Sequence, residues 1–233
     1  MQFAGKSKVA LIAFLVFDVF LIAFFVYLYQ LRDERQSASD LREIGVTIYP
    51  QARAISDFQL IDQHGEVFTK NDFNGHWNLV FFGFTNCPDI CPLAMAELKQ
   101  FYEALEVGVD EKPKIFLVTV DPERDNPDSM KAYVGKYNDD FIGLSGDAET
   151  ISRLATELYV VYGNGAEHDG NHREESRKAS EETAKAVSMM HSDYVIPHSG
   201  HIAVISPRGE YYAVMRAPHR NKDIETAYLA LVE

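Results

Sequence analysis

The sequence predicts a mixed α/β layer around a central sheet, preceded by one N-terminal transmembrane helix. Three observations lead there. Two short, almost continuous apolar runs, at 78–84 and 114–120, have the character of strands buried on both faces. Runs with helical periodicity alternate with them, and a hairpin and a final helix close the chain. The stretch 9–31 is apolar over a length no core strand needs.

From the N-terminus, residues 1–8 are a short cytoplasmic end and 9–31 form the anchor. The span is 31 − 9 + 1 = 23 positions, which at about 1.5 Å per residue covers roughly 34 Å of bilayer. Tyr27 and Tyr29 stand at one end, where aromatic rings favour the interface. The run is longer than the apolar region of a cleaved signal peptide, and no small-residue cleavage site follows it. The flanking cations, Lys6 and Lys8 against Arg32 and Arg35, nearly balance, so the short N-terminus sets the orientation. The first residues lack the acid-poor, Arg-rich helix of a mitochondrial transit peptide. The expected location is therefore a bacterial inner membrane, single-pass, with the soluble part in the periplasm. Asp18 near mid-span is either a tolerated acid or a polar contact to another membrane helix.

Residues 32–55 read as a polar tether and 56–233 as the folded domain. Phe58–Asp62 and Glu66–Phe68 form a hairpin turning at Gly65. The run Asn78–Phe84 is the first buried strand, and a helix from about Cys91 or Pro92 to Leu105 follows it. Lys114–Val120 is the second strand. A helix over about Pro127–Tyr137 follows, capped by Asp125 or Asn126, and another lies near Glu149–Tyr159. Residues 163–188 carry almost no large apolar side chain and read as a solvated, mobile insertion. His201–Ser206 and Glu210–Arg216 make a hairpin through Pro207-Arg208-Gly209, and about Asn221–Leu231 is the last helix.

Composition narrows the function. Of 233 residues, 46% are hydrophobic and 24% charged, enough apolar material for one packed core. Lys+Arg 22 against Asp+Glu 35 gives 22 − 35 = −13, which excludes tracking a nucleic-acid backbone. The only cysteines, Cys87 and Cys91, sit four apart at the carboxyl end of a buried strand, where α/β sheets place reactive groups. A disulfide closing so short a loop adds little stability, so a redox or metal role is favoured. A helix starting near Cys91 favours thiolate there. Two thiolates and an imidazole suit soft monovalent copper. Among eight histidines, His198 is best placed, entering the last hairpin beside the cysteine strand, with His201 and His191 as rivals. His64 and His76 read as surface residues, His168 and His172 lie in the insertion, and His219 comes late in the chain.

The segments Phe82-Gly83-Phe84-Thr85, Cys87-Pro88-Asp89-Ile90-Cys91-Pro92 and Val120-Asp121-Pro122-Glu123-Arg124-Asp125, with Pro127, resemble the Sco/SenC copper-chaperone family. So do Phe141-Ile142-Gly143-Leu144 and Asp193-Tyr194-Val195-Ile196-Pro197-His198-Ser199, followed by Pro207-Arg208-Gly209. The likeness covers about residues 55–232, and an N-terminal anchor is usual in the family. It implies a thioredoxin-like fold and copper, as Cu(I) and also as Cu(II), delivered to the dinuclear copper centre of cytochrome c oxidase subunit II during assembly. The implied partners are that subunit or its assembly factors and a copper donor protein. The implied ligands are Cys87, Cys91 and His198, the last favoured over His201 by its spacing to Pro207-Arg208-Gly209. Two features depart from the family. Pro197 stands where members usually carry an Asp before the ligand His, removing a carboxylate that would orient the imidazole. The insertion 163–188 is longer than usual, and His168, His172, Met189, Met190 and His191 near it are soft auxiliary donors if they are not simply solvated.

Two other functions compete with metal delivery. Cys87 and Cys91 can act as the redox-active pair of a thiol-disulfide oxidoreductase reducing partner cysteines. A peroxidase would use Cys87 as its peroxide-reactive thiolate, but no other residue marks a peroxide pocket. His198 separates the first two, because copper needs it and thiol exchange does not.

Overall fold

The computed structural model describes residues 16–26, 40–105, 112–160 and 200–232. Expectations for the cytoplasmic end 1–8, for the insertion 163–188, and for His198, His191, His168, His172, Met189 and Met190 fall outside the described residues. The chain divides into two units, Met1–Thr47 and Ile48–Glu233. In the first, residues 16–26 are helical, and Phe17, Val19, Phe20, Ile22, Phe25 and Val26 are exposed along them. Among the described residues no helix is long and apolar enough to cross a membrane.

The second unit is built on an eight-stranded mixed sheet, ordered β1-β8-β7-β4-β5-β6-β2-β3. Its strands are β1 (Val46–Ala54), β2 (Gln59–Asp62), β3 (Val67–Thr69), β4 (Asn78–Gly83), β5 (Lys114–Thr119), β6 (Ile142–Ser145), β7 (Ile202–Ile205) and β8 (Glu210–Met215). Its helices are α1 (Ile90–Ala104), α2 (Pro127–Val134), α3 (Ala148–Glu157) and α4 (Asn221–Val232). The centre, β4–β5–β6, is parallel, while β7, β8, β2 and β3 join it antiparallel. All six residues of β4 are buried, as the apolar run predicts for a strand covered on both faces.

Alternation along β4 sorts the core into two layers. Val80, Phe82 and Phe84 join Phe116, Val118, Ile151, Leu154 and Leu158 on the α3 side. Phe81 faces Leu93 and Ala94 of α1, and α1 packs on α4 with the Phe101 and Tyr228 rings 5.7 Å apart. The hairpin β2–β3 turns where the sequence places it. Gly65 has φ +84°, and Asp62 Oδ1 accepts from the backbone N–H of His64 at 2.8 Å and of Glu66 at 2.9 Å. Gly209, at φ +71°, closes β7–β8 by donating to Ser206 O at 2.9 Å.

The sequence reading is corrected at three points. The tether 32–55 contains β1, which extends the sheet beside β8. Its mixed polarity is that of an edge strand with one wet face, which pattern alone does not separate from a linker. Strand β6 falls in a stretch too short to show alternation. Gly143 permits its packing, since a Cβ there would meet Met130 Cβ of α2 at 3.0 Å. Asn126 alone caps α2, its side chain accepting from Ser129 N at 3.0 Å, while Asp125 is wholly buried and does other work.

Strand β1 anchors on a buried aromatic pair. Tyr211 on β8 is 1% exposed; its ring lies 5.0 Å from that of Tyr49, and the two hydroxyls are 3.2 Å apart. Burial, and then the hydrogen bond with Tyr49, push the Tyr211 phenol well above its ordinary pKa. A fragment starting at residue 56 should therefore be less stable than one starting at residue 46, by about 3 kcal/mol. Urea denaturation of the two fragments checks this, and equal midpoints would return residues 46–55 to the role of tether.

Candidate metal and thiol site

The site begins where β4 ends. Gly83 O accepts from Val120 N at 2.8 Å, and Cys87 N donates to Phe84 O at 3.2 Å, so the chain turns tightly from strand to helix. Helix α1 then starts at Ile90, one residue before Cys91. Asp89 at its N-cap makes no side-chain hydrogen bond to the first turn. Both cysteines are thiols and not a disulfide; Cys87 is half-buried and Cys91 fully buried.

The buried thiol fits because Gly83 has no side chain. A Cβ at Gly83 would lie 2.8 Å from Cys91 Sγ and 3.2 Å from Leu117 Cδ1. The glycine thus lets the first turn of α1 rest its sulfur directly on the sheet. The turn itself is held by Asp125, whose carboxyl accepts from Thr85 N at 3.0 Å, Thr85 Oγ1 at 2.5 Å and Thr119 Oγ1 at 2.7 Å. Ser145 Oγ donates to Asp125 O at 2.7 Å, tying the same residue to β6. A neighbouring pair, Arg124 with Asp121, closes the loop after β5. The buried role of Asp125 was hidden in sequence because an acid before Asn126-Pro127 looks like one more capping candidate.

The electrostatics reverse one expectation. The helix start was expected to favour thiolate at Cys91, but the hydrogen bond with Cys87 and then burial push this thiol well above its ordinary pKa. Cys91 therefore keeps its proton until a metal or an oxidant takes its place. Tyr133 of α2 is close enough for both thiols to act on it electrostatically, and burial is the main cause of its raised phenol pKa. Two adjacent thiols are a soft donor set that suits monovalent copper.

The histidines separate clearly. His201 points to the α3 side, away from Cys91 but to the layer that Cys87 also packs against: its Nε2 is 3.4 Å from Leu158 O. Gly200 faces the other layer, its Cβ position 3.6 Å from Ile90 Cδ1 and 3.8 Å from Ala217 Cβ. His219, passed over in the sequence as a late residue, lines a groove of about 550 Å³ with Ile90, Leu93 and Glu97 of α1. No periodic signal marks it, because it lies in the loop between β8 and α4.

Two predictions follow from this geometry. Gly83→Ala should destabilise the reduced protein by about 1–3 kcal/mol, since the methyl must displace Cys91 or Leu117. Thermal unfolding measures it, and an unchanged midpoint would mean the sheet yields freely there. The second concerns pH. Burial is the first cause of the lowered pKa of both His201 and His219, below the usual 6.5. Their neutral forms therefore favour the fold, and that stability is complete above pH 6.5 and lost as pH falls through the folded-state values. Denaturation midpoints should drop as pH falls below about 6.5, and His219→Gln should reduce the drop.

The comparisons with known proteins agree with this construction. Residues 47–233 match the family model described as SCO1/SenC. A protein of Stutzerimonas stutzeri named for copper binding is 33% identical over 178 residues, 76% of each chain. A mitochondrial SCO2 homologue of Danio rerio is 30% identical over 219 residues, covering 91% of this chain and 68% of its own. The copper-bound ScoI structure of Bradyrhizobium japonicum is 28% identical with a TM-score of 0.58, the match covering 77% of this chain and 99% of that one. That of Arabidopsis thaliana is 26% identical with a TM-score of 0.60, covering 75% and 95%. The central mixed sheet, with its thiols at a strand–helix junction, is thioredoxin-like, as the resemblance implied. The chain belongs to the SCO1/SenC family.

Proposed function

We propose that this chain is a membrane-anchored copper chaperone that loads the dinuclear copper centre of cytochrome c oxidase subunit II during assembly. The observation that carries this is the pair of adjacent thiols at the end of β4, one buried against Gly83 and one half-exposed. Copper is the cargo, held by Cys87 and Cys91 as thiolates and by the imidazole of His198. Two things support His198 over His201. The His201 ring is engaged at Leu158 O, and Gly200, two residues from His198, faces Ile90 beside Cys91. Solved relatives with copper bound supply the metal, and a structurally similar protein is described as a Sco family cytochrome c oxidase assembly protein. Anchoring through 9–31, a bacterial inner membrane and a periplasmic domain rest on the sequence. Partner proteins would be the subunit or its assembly factors and a copper donor.

One observation favours a second reading as thiol-disulfide oxidoreductase. A half-exposed Cys87 beside a buried Cys91 is the arrangement of an attacking and a resolving thiol. Cys87 would attack a partner disulfide, and Cys91 would then displace the partner's second sulfur. Two electrons and two protons pass to the partner, leaving a Cys87–Cys91 disulfide. A structural neighbour is described as carrying a disulfide switch, which supports a reversible Cys87–Cys91 disulfide here.

Titration of the reduced chain with Cu(I) should give one copper per molecule. Cys87→Ser and Cys91→Ser should each abolish tight binding, and His198→Ala should lower affinity by about a hundredfold without unfolding the domain. Reduction of a peptide disulfide, measured in parallel, should need both cysteines and be indifferent to His198. Tight copper binding that survives loss of either cysteine would overturn the site, and strong disulfide reduction with weak copper binding would install the second reading.

A further inference from the structure

Asp125 is wholly buried, and a carboxyl is costly to bury unless its oxygens are occupied. Here both are. Oδ2 accepts from Thr85 N at 3.0 Å and from Thr119 Oγ1 at 2.7 Å, and Oδ1 accepts from Thr85 Oγ1 at 2.5 Å. The backbone is fastened as well: Asp125 N donates to Asp121 O at 3.0 Å, and Asp125 O accepts from Ser145 Oγ at 2.7 Å. The residue is therefore fixed to the ends of β5 and β6 before it takes hold of Thr85.

Thr85 is a corner of the turn that presents Cys87. The bond from Cys87 N to Phe84 O at 3.2 Å spans three residues, so Phe84–Cys87 is a β-turn with Thr85 at its second position. Phe84 lies in the core and anchors the first residue of that turn. Thr85 is held by its amide and its hydroxyl, both on one carboxyl. Cys91 is placed by other means, in the first turn of α1 with its sulfur against Gly83. The two sulfurs thus answer to separate constraints, Cys91 to the glycine and Cys87 to the acid.

We propose that Asp125 is a positioning residue for the thiol pair, holding Thr85 so that Cys87 stays within reach of Cys91. This rests on Cys87 and Cys91 working as a pair, as in the proposed function. Asp125 acts through the turn. Closing the pair on one copper ion, or joining it as a disulfide, removes whatever freedom Cys87 still has. A turn fastened at Thr85 has little left to lose, whereas a loose one must be ordered at the moment the bond forms. Disulfide and copper complex should therefore weaken together when the carboxyl or the Thr85 hydroxyl is removed.

The test uses the full chain with two readouts: the equilibrium of Cys87 and Cys91 with glutathione, and Cu(I) affinity by competition with a chromophoric chelator. In the first, one oxidised glutathione takes two electrons and two protons from the pair, giving two reduced glutathiones and the Cys87–Cys91 disulfide. Thr85→Val keeps the side-chain shape and deletes the hydroxyl bond, and Asp125→Asn keeps the size and replaces one accepting oxygen with a donor. Each should lower the equilibrium constant for disulfide formation by about tenfold, equivalent to a potential about 30 mV more oxidising. Each should also lower Cu(I) affinity by about tenfold. Thr85→Ser restores the hydroxyl and should stay within about threefold of the unaltered chain in both. Gln63→Ala removes buried bonds to Phe141 O and Gly143 N at the start of β6, and serves as the control for lost stability. It should lower the thermal midpoint and leave both readouts within about threefold. If Thr85→Val and Asp125→Asn lower only the thermal midpoint, or if the potential stays or falls, the proposal is overturned. An equal shift in Gln63→Ala would also overturn it, by showing a general loosening of the fold. Should Asp125→Asn not fold, Thr85→Val carries the same expectations. If the unaltered chain binds no copper tightly, the chaperone reading fails and the glutathione equilibrium still decides this inference. If copper binds and Thr85→Val moves neither readout, only the inference fails.

Discussion

Strand β4 is enclosed on both faces and on both edges, and the positions of Cys87 and Cys91 derive from that enclosure. Parallel pairing with β5 and antiparallel pairing with β7 satisfy its backbone, while Phe82 and Phe81 fill opposite layers. A strand so confined leaves the sheet in one direction only. The chain that emerges at Gly83 is caught at once by Val120 N and by the carboxyl of Asp125, and it starts α1 with the thiols already side by side. The thiols are therefore preorganised by elements that have nothing to do with metal or redox chemistry.

Preorganisation explains the asymmetry of the pair. Cys91 is in the core because a glycine on the strand beneath makes space for sulfur. Cys87 lies on the turn, touching the α3-side core with part of its surface and solvent with the rest. One sulfur is a fixed reference and the other is the accessible partner. A buried and a half-buried thiol side by side are a donor pair open to metal binding and to disulfide chemistry alike.

How legible this was in sequence depended on whether a residue's role produced a pattern. Buried strands β4 and β5 and helices α1, α3 and α4 announced themselves through apolar runs and helical spacing. Cys87 and Cys91 were legible because two soft nucleophiles after a buried strand have few other uses. Strand β1 was not, because an edge strand with one wet face has the composition of a linker, and β6 was too short for periodicity to register. Asp125 and His219 were hidden for a different reason. Their partners, Thr85 and Thr119 in one case and Gly200 in the other, lie on other elements, and only the fold brings them together.

Strand parity around β7 has a consequence for how this chain tolerates change in length. Gly200 and His201 are adjacent in sequence but address opposite layers, one meeting Ile90 and the other Leu158. The register Phe81↔Ile202 locks that division to the centre of the sheet. Adding one residue between His201 and Ile202 would exchange the layers that these two residues address, sending Gly200 toward α3 and His201 toward Ile90. Spacing therefore matters as much as identity at this point: the two residues that enter β7 cannot gain a neighbour without exchanging faces.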